Sequence, residues 1–296
     1  MNETISELFV NGSIPLSVTV QNTTNWGQFA LSALIALVGS FGILFLMYFP
    51  KILSFSFFGL KKLNKITKKN IILIKHTTNE LFNQSMITQD TLRELSHLMN
   101  KMNGSDFDLI LHTPGGEIFS SLAISRLIKQ YPGKIRAIIP MYSMSGGSLI
   151  ALSCKEIIMT SNACIGPIDP QLGSLFKFGS AKAWEKIVEF KGKKAEDQSI
   201  SFAMMGKQYT KSIQSHLKNI IDFDLNSSQK EKFVKFLTDG NVEHSYPLTV
   251  LDLERIGIKV DIIKDTKFLK ILSYLISSKK LEGVTAYINK KGAKRK

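Results

Sequence analysis

The chain has 296 residues, of which 44% are hydrophobic, and carries a formal net charge of +14 at pH 7. This length and composition allow one membrane segment plus one domain of about 200 residues with a substantial core. Its two cysteines, Cys154 and Cys164, are too few for a disulfide framework and are typical of small buried residues in a reducing compartment. The sequence predicts no nucleic-acid partner, because its basic residues cluster beside an apolar segment and near the C-terminus without a nucleic-acid-binding motif.

The first predicted element is a transmembrane helix over residues 29–49, an uncharged stretch of 21 residues. A helix of this length crosses the roughly 30 Å hydrocarbon core of a bilayer. Because Glu3 and Glu7 precede it and no lysine or arginine does, a cleaved signal peptide is disfavoured. Lysines follow the span closely and none precedes it, which predicts an outward-facing tail over residues 1–28 and a cytoplasmic C-terminal side. The sequence thus predicts a single-pass protein of the cell membrane.

Residues 50–69 are aromatic and then basic, and two interpretations of this juxtamembrane segment stay open. The segment lies along the cytoplasmic leaflet with its lysines near anionic lipid head groups, or it is the plain basic flank of the span. One folded domain is predicted over residues 70–275. Residues 276–296 are predicted to be a basic C-terminal tail.

From Asn70 onward, short apolar strands alternate with amphipathic helices, which predicts an α/β domain with a largely parallel sheet. Thr88 is a predicted N-cap, and Gly104 is predicted to end the helix that it begins. Strands are predicted over residues 70–75, 108–113, 134–139, 156–160 and 163–165, and the following helices over residues 117–131 and 145–153.

Two glycine-bearing corners follow successive strands, at Thr113-Pro-Gly-Gly116 and at Met144-Ser-Gly-Gly147. The second places Ser145 between a strand and a small-residue helix, which is the layout of a nucleophile elbow, although G-x-S-x-G is absent. Because ligand sites form at the carboxyl ends of parallel strands, we expect both corners to face one cleft. The N–H groups of Gly115, Gly116 and Gly146 would then form an oxyanion hole. Ordinary glycine turns are the alternative.

Four stretches, "DLILHTPGGEIFSSLAIS", "YSMSGGSLIAL", "EIIMTSNACIGPIDPQLG" and "EHSYPLTV", resemble in this order the serine dehydrogenase proteinase family. That family belongs to the Clp-type serine proteases, alongside signal peptide peptidase A. The resemblance covers roughly residues 70–260. It implies a Clp/crotonase-like superhelix of ββα units, homo-oligomers of three or more subunits and polypeptide substrates. It also implies that Ser145 is the nucleophile, ahead of its neighbours Ser143 and Ser148, with oxyanion donors at Gly115, Gly116 and Gly146.

A serine nucleophile needs a base. No histidine lies between His112 and His216, which disfavours the Ser-His-Asp order of the Clp proteolytic subunit. The interpretation that remains is a serine–lysine dyad like that of signal peptide peptidase A, with Lys211 as the first candidate and Lys186 as the second. A lysine base must be buried to lower its pKa.

Three further residues are expected near the cleft, and each also has a plainer structural interpretation. His112 ends a strand beside the first glycine corner, Asp169 precedes Pro170, and His244 lies in the last matching stretch. Asp169 orients a base or caps a turn, whereas His112 and His244 touch the cleft or make structural hydrogen bonds. No residue cluster has metal-ligand spacing, and no phosphate-binding loop occurs, so no metal and no cofactor are predicted.

Three classes of function remain open at this point. The first is a membrane-anchored serine endopeptidase that cleaves peptides or membrane-proximal protein segments. The second is a crotonase-like enzyme that binds an acyl thioester at the two corners. The third is a catalytically silent oligomeric scaffold of the same fold at the membrane.

Overall fold

The computed structural model describes residues 30–40, 55–77, 85–174, 177–278 and 281–289. The chain divides into two units, Met1–Ser54 and Phe55–Lys296. In the first unit, residues 30–40 form helix α1. Within the described ranges, no helix combines the length and the apolar character needed to cross a membrane. The predicted tail over residues 1–28, and the predicted span apart from residues 30–40, lie outside the described residues.

The second unit alternates helices and strands, as the sequence pattern predicts. Its helices are α2 (Phe55–Thr67), α3 (Gln89–Met102), α4 (Ile118–Gln130), α5 (Gly146–Ser153), α6 (Ala181–Lys191), α7 (Asp197–Ile220), α8 (Ser227–Thr238), α9 (Val250–Ile256) and α10 (Thr266–Ser277). Its strands are β1 (Asn70–Lys75), β2 (Phe107–His112), β3 (Ile135–Ile139), β4 (Tyr142–Ser143), β5 (Glu156–Met159), β6 (Cys164–Ile165), β7 (Gln171–Ser174), β8 (Lys177–Ser180), β9 (Leu248–Thr249), β10 (Asp261–Ile262) and β11 (Gly283–Tyr287).

A six-stranded sheet in the order β10-β5-β3-β2-β1-β11 forms the centre of this unit. Its strands are parallel except β11, which pairs antiparallel with β1. The largely parallel sheet is therefore confirmed. Beside it, β4, β6 and β9 form a small three-stranded sheet, and β7 and β8 form a hairpin.

The core lies on both faces of the large sheet, because successive strand residues point to opposite sides. On one face, Ile72 and Leu109 are fully buried with α3, α4 and α5. On the other face, Leu73 and Ile110 are fully buried with α2 and α10. A parallel sheet covered on both faces explains why its strands are continuous apolar runs.

The two segments flanking the predicted domain differ from expectation. In the juxtamembrane segment over residues 50–69, Leu60 and Leu63 of α2 are fully buried in the core that contains Leu275 of α10. In the predicted C-terminal tail, β11 completes one edge of the large sheet. Residues 55–69 and 281–289 of these segments therefore belong to the α/β unit, since their apolar side chains and backbone groups find partners there. Residues 290–296 lie outside the described ranges.

Candidate active site

Ser145 occupies a strained turn between β4 and α5. Its backbone angles are φ 50° and ψ −120°, a region that side-chain-bearing residues rarely adopt. Two backbone hydrogen bonds hold the turn, from Gly147 N to Met144 O at 2.7 Å and from Leu149 N to Ser145 O at 3.2 Å. The side chain is half-buried. The conformation is that of a nucleophile elbow, which presents the hydroxyl at the start of the helix.

The two glycine corners contact each other directly. A Cβ atom on Gly115 would lie 2.7 Å from Ser145 Cβ, and one on Gly146 would lie 2.1 Å from Ser121 Oγ. On the far side of the first corner, a Cβ atom on Gly116 would lie 2.2 Å from Ile87 O. Glycine is therefore required at all three positions by close approach of the surrounding atoms. The expectation that both corners meet at Ser145 agrees with this geometry.

Two of the three predicted oxyanion donors have N–H groups without an acceptor among the described residues. Gly146 is the first residue of α5, so its N–H has no acceptor within the helix. In the described part of the chain, neither Gly146 nor Gly116 donates its N–H in any hydrogen bond that we find. By contrast, the N–H of Gly115 donates to Thr113 Oγ1 at 3.1 Å. Gly115 thus shapes the corner, and Gly116 and Gly146 are left as donors.

The two neighbouring serines have structural positions. Ser148 Oγ donates to Ser143 O at 2.7 Å and accepts from Gly166 N at 2.9 Å. Ser143 Oγ is buried without a hydrogen-bond partner among the described residues. Neither hydroxyl occupies the elbow, which supports the choice of Ser145 as nucleophile.

Asp169 and His244 form a hydrogen-bonded pair. His244 Nδ1 lies 2.7 Å from Asp169 Oδ1, and Gln171 Nε2 donates to Asp169 Oδ2 at 2.7 Å. The carboxylate side chain is only 3% exposed, whereas the imidazole is 33% exposed. A buried carboxylate that accepts from Nδ1–H leaves Nε2 as the free basic nitrogen of the histidine.

The small sheet brings this pair to the same place as Ser145. Strand β4 pairs with β6, and β6 pairs antiparallel with β9, with Ser143 opposite Ile165 and Ile165 opposite Leu248. Ser145 and Asp169 leave the carboxyl ends of β4 and β6, and His244 precedes the amino end of β9. Because β9 runs antiparallel, all three residues lie at one end of this sheet.

A packing contact at Gly166 supports this placement. A Cβ atom on Gly166 would lie 2.2 Å from Met144 Cε and 3.6 Å from Tyr246 O. Met144 precedes the candidate nucleophile directly, and Tyr246 lies two residues after His244. The segments that carry Ser145 and His244 therefore flank the same glycine.

The predicted lysine bases lie elsewhere on the surface. Lys186 is exposed on α6, and Lys211 is exposed on α7. Lys211 lines an open cavity of about 460 Å³ together with Arg126, Ser212, Ser215, His216 and Asn219. Within the described ranges, neither lysine shares a hydrogen bond with Ser145. The burial that a lysine base requires is not met at either position in this chain.

Two buried histidines lie behind the first glycine corner. His112 packs against Tyr142 with ring centroids 4.3 Å apart, and its Nδ1 has no hydrogen-bond partner among the described residues. Burial and the nearby Lys75 ammonium lower the pKa of His112 to about 4, against an opposing effect of Glu282. Burial likewise lowers the pKa of His76 to about 4. His112 thus precedes the first glycine corner with its side chain in the protein interior.

No group of three or more histidine, cysteine, aspartate or glutamate side chains within the described ranges has an arrangement that could hold a metal ion. The side-chain chemistry at this end of the small sheet is that of a hydroxyl, an imidazole and a carboxylate. A hydroxyl, an imidazole and a carboxylate are the side-chain groups that a Ser-His-Asp triad combines.

The model of the ClpP-like SDH-type serine proteinases matches residues 59–288. The chain belongs to this family. Two uncharacterized proteins of Methanocaldococcus jannaschii are 39% and 38% identical to this proteinase over 155 and 154 residues, which are 52% of this chain in both cases. These matches cover 53% and 51% of the relatives, so the chain spans about half the length of the curated relatives it matches.

Two solved structures illustrate the structural matches to this chain. ClpP1 from Listeria monocytogenes has a TM-score of 0.44 at 14% identity, covering 69% of this chain and 98% of that chain. A variant of the 1510-N membrane-bound stomatin-specific protease, in complex with a substrate peptide, has a TM-score of 0.42 at 21% identity, covering 68% and 78%.

In this SDH-type proteinase the candidate triad has the chain order Ser145, Asp169, His244. A search for a histidine shortly after the serine misses it, because an aspartate stands there and the histidine follows 75 residues later. The sequence signal that could have found this pair was the position of both residues next to short strands. Asp169 follows one short strand and His244 precedes another, so antiparallel pairing of those strands joins them.

Proposed function

We propose that this proteinase is a serine endopeptidase in which Ser145 is the nucleophile, His244 the general base and Asp169 the residue that orients it. The observation that carries the proposal is the hydrogen bond of 2.7 Å between His244 Nδ1 and the buried Asp169 carboxylate. The pairing of β4, β6 and β9 supports the placement of this histidine and its carboxylate at the same end of the small sheet as Ser145. A carboxylate in this position holds the imidazole in the required tautomer and stabilises its cation.

The proposed reaction proceeds in two halves. His244 Nε2 takes the hydroxyl proton while Ser145 Oγ forms a bond to the peptide carbonyl carbon. The carbonyl oxygen becomes an oxyanion, which the N–H groups of Gly116 and Gly146 stabilise. The C–N bond then breaks, and the imidazolium gives its proton to the leaving amine. Water repeats the sequence on the acyl-enzyme, releasing the acid product and restoring the Ser145 hydroxyl.

A serine–lysine dyad, with Lys211 or Lys186 as the base, is the second candidate mechanism for the same reaction. Lysine bases operate in relatives of the kind that the sequence resembles, and both residues lie in the segment between β8 and α8. In this chain their side chains are exposed. The dyad therefore requires a further burial step, such as packing against a second subunit, before either amine becomes an effective base.

Fluorophosphonate labelling of the full chain tests the proposal, since such probes react only with an activated serine. We expect wild-type protein to be labelled at Ser145, and Ser145→Ala and His244→Gln to lose labelling, whereas Ser148→Ala and Lys211→Met keep it. Absence of labelling in the wild type would favour the scaffold or the acyl-thioester enzyme. Loss with Lys211→Met and retention with His244→Gln would favour the dyad.

We propose that residues 29–49 anchor the chain in the cell membrane with the proteinase unit on the cytoplasmic side. The uncharged run and the lysines that follow it support this topology. Single cysteines introduced before Trp26 should react with an impermeant maleimide in intact cells, and cysteines introduced after Lys61 should react only after permeabilisation. The reverse pattern would overturn the orientation.

We also propose a homo-oligomer of three or more subunits. Apolar side chains on and beside the α6–α7 pair support it, because Phe190 is 92% exposed, Phe178 73% and Met204 61%. Such exposed apolar groups mark interaction surfaces in soluble domains. Light scattering of the detergent-solubilised chain should give at least three subunits, and Phe190→Ser should reduce the mass. A monomeric wild type would contradict the proposal.

A further inference from the structure

Thr113 joins the two glycine corners and is fully buried. Its N–H donates to Tyr142 O at 3.2 Å, and its carbonyl accepts from Met144 N at 2.9 Å. These two bonds tie the end of β2 to the segment that leads into Ser145. The side-chain hydroxyl of Thr113 is therefore held at a fixed place behind the first corner.

That hydroxyl has two partners. Thr113 Oγ1 accepts from Gly115 N at 3.1 Å and lies 3.0 Å from His76 Nδ1. A hydroxyl has one hydrogen to donate and two lone pairs that accept. The other acceptor for this hydrogen, Gly115 O, is 3.4 Å away and already accepts from Ile87 N at 2.8 Å. A lone pair of Thr113 Oγ1 thus points at Gly115 N–H, and the same oxygen is hydrogen-bonded to His76 Nδ1, with the donor set by the histidine tautomer.

His76 is a buried, neutral hydrogen-bond partner for this hydroxyl. The side chain is 2% exposed, and burial lowers its pKa to about 4, against an opposing effect of Glu282, so the ring is neutral at pH 7. A neutral imidazole that accepts at Nδ1 carries its hydrogen on Nε2. The backbone of His76 is also fixed, because its N–H donates to His112 O at 2.8 Å.

The orientation of the first corner determines where the Gly116 N–H points. In a trans peptide the C=O of one residue and the N–H of the next point in opposite directions. Since Gly115 O points at Ile87 N, Gly116 N–H points away from Ile87. On that side lies Gly146, whose added Cβ would be 3.7 Å from Gly116 N. The hydroxyl of Thr113 fixes the preceding peptide of the same turn.

We propose that His76 is a positioning residue for the oxyanion hole, acting through Thr113: the His76 Nδ1–Thr113 Oγ1–Gly115 N chain holds the corner so that Gly116 N–H faces the Ser145 cleft. This inference rests on the proposed peptidase function. His76 touches no substrate atom. Its effect is confined to the step in which negative charge develops on the carbonyl oxygen, since an oxyanion hole is complementary to the transition state.

Paired variants of the full chain test this. His76→Leu and Thr113→Val remove the two polar groups at similar volume, whereas His76→Asn and Thr113→Ser restore an acceptor and a hydroxyl. His112→Phe is the matched control, because His112 is also buried with a similarly lowered pKa but packs on Tyr142. The measurements are kcat and KM on a fluorogenic peptide, the inhibition constant of a peptide aldehyde, and the unfolding temperature.

We expect His76→Leu and Thr113→Val each to lower kcat by roughly 10- to 100-fold. The upper value approaches the effect of losing one oxyanion donor outright. Aldehyde affinity should fall in parallel, with KM changed less than about twofold, because ground-state binding does not use the hole. His76→Asn and Thr113→Ser should recover most of kcat, and His112→Phe should keep it.

Three outcomes would overturn the inference: kcat unchanged in folded Thr113→Val, a change confined to KM, or an equal loss of kcat in His112→Phe. If His76→Leu does not fold, Thr113→Val and the partial activity of His76→Asn still decide the question. Failure of the proposed peptidase function is distinguishable, because wild-type protein would then neither cleave the peptide nor bind the aldehyde.

Discussion

Two histidines of the proposed mechanism, His244 and His76, differ in their surroundings in two respects. His244 is 33% exposed and contacts a buried carboxylate, whereas His76 is 2% exposed and contacts a neutral hydroxyl. A carboxylate stabilises an imidazolium, and exposure lets a proton be exchanged with solvent. Burial without a charged contact keeps the ring neutral. In the proposed mechanism the same type of side chain therefore serves as the base at His244 and as a positioning residue at His76.

Removing the Ser145 hydroxyl, on which both proposed histidine roles depend, should have the largest effect. Ser145→Ala eliminates the covalent step, so we expect kcat on a fluorogenic peptide to fall roughly 10⁶-fold, as when a triad nucleophile is removed. Ser143→Ala, next to the elbow, should retain activity within about tenfold, since its hydroxyl has no partner among the described residues. Retention of activity by Ser145→Ala would refute the assignment of the nucleophile.

Changing the base side comes next. His244→Gln keeps a polar side chain but removes the basic nitrogen, and kcat should fall by up to about 10⁶-fold. Lys211→Met and Lys186→Met should change kcat less than about threefold, because these exposed amines are ordinary solvated lysines. Steady-state kinetics on the three variants decides between histidine and lysine. A large loss of kcat with either lysine variant would identify that lysine, and not His244, as the base.

The Asp169 carboxylate, which His244 contacts, can be neutralised without changing the histidine. Asp169→Asn preserves shape but offers an amide to His244, which favours the wrong tautomer, and we expect a loss in kcat of about 10⁴-fold. Gln171→Leu removes the donor to the other carboxylate oxygen and should cost no more than about tenfold, since the bond to His244 remains. Equal effects of the two changes would show that Asp169 acts only through packing.

The smallest expected effect is on the stability of the folded chain, and it comes from the two buried histidines His76 and His112. The pKa of His76 and of His112 falls from 6.5 to about 4 on folding, so the unfolded chain binds more protons between these values. Stability is therefore complete above pH 6.5 and declines as pH falls toward 4, by at most about 3 kcal/mol for each histidine. Urea unfolding at pH 7.5 and pH 5 should show this decline, and His112→Phe should reduce it by about half. A pH-independent midpoint would contradict burial of the neutral rings.

Local signals in the sequence predicted much of the α/β unit. Strand β1 is an uninterrupted apolar run, and α3 begins after its predicted N-cap, Thr88. The turn at Ser145 followed from a strand, two glycines and a small-residue helix, all within 20 residues. Each of these elements depends on residues close together in the chain, so periodicity and capping suffice to place them.

Other features depend on contacts between distant residues, and no local pattern encodes them. The Asp169–His244 pair forms only because β9 joins β6 across about 80 residues. The basic character of residues 50–69 and 276–296 predicted surface segments. It gave no sign that Leu63 of α2 is buried in the core or that β11 pairs with β1. Net charge reports on surface, and a strand or helix can bury one face while its other face carries lysines.

The position of β11 has a consequence for synthesis of the chain. Lys75 pairs with Gly283, 208 residues later, so the outer edge of β1 has no partner while the intervening residues are being translated. At about 5–20 residues per second this interval is roughly 10–40 s. An apolar strand with an open edge is a template for pairing with other chains. Nascent chains on a polysome are therefore vulnerable to edge-to-edge association until β11 emerges, and translation pauses between β1 and β11 would lengthen that exposure.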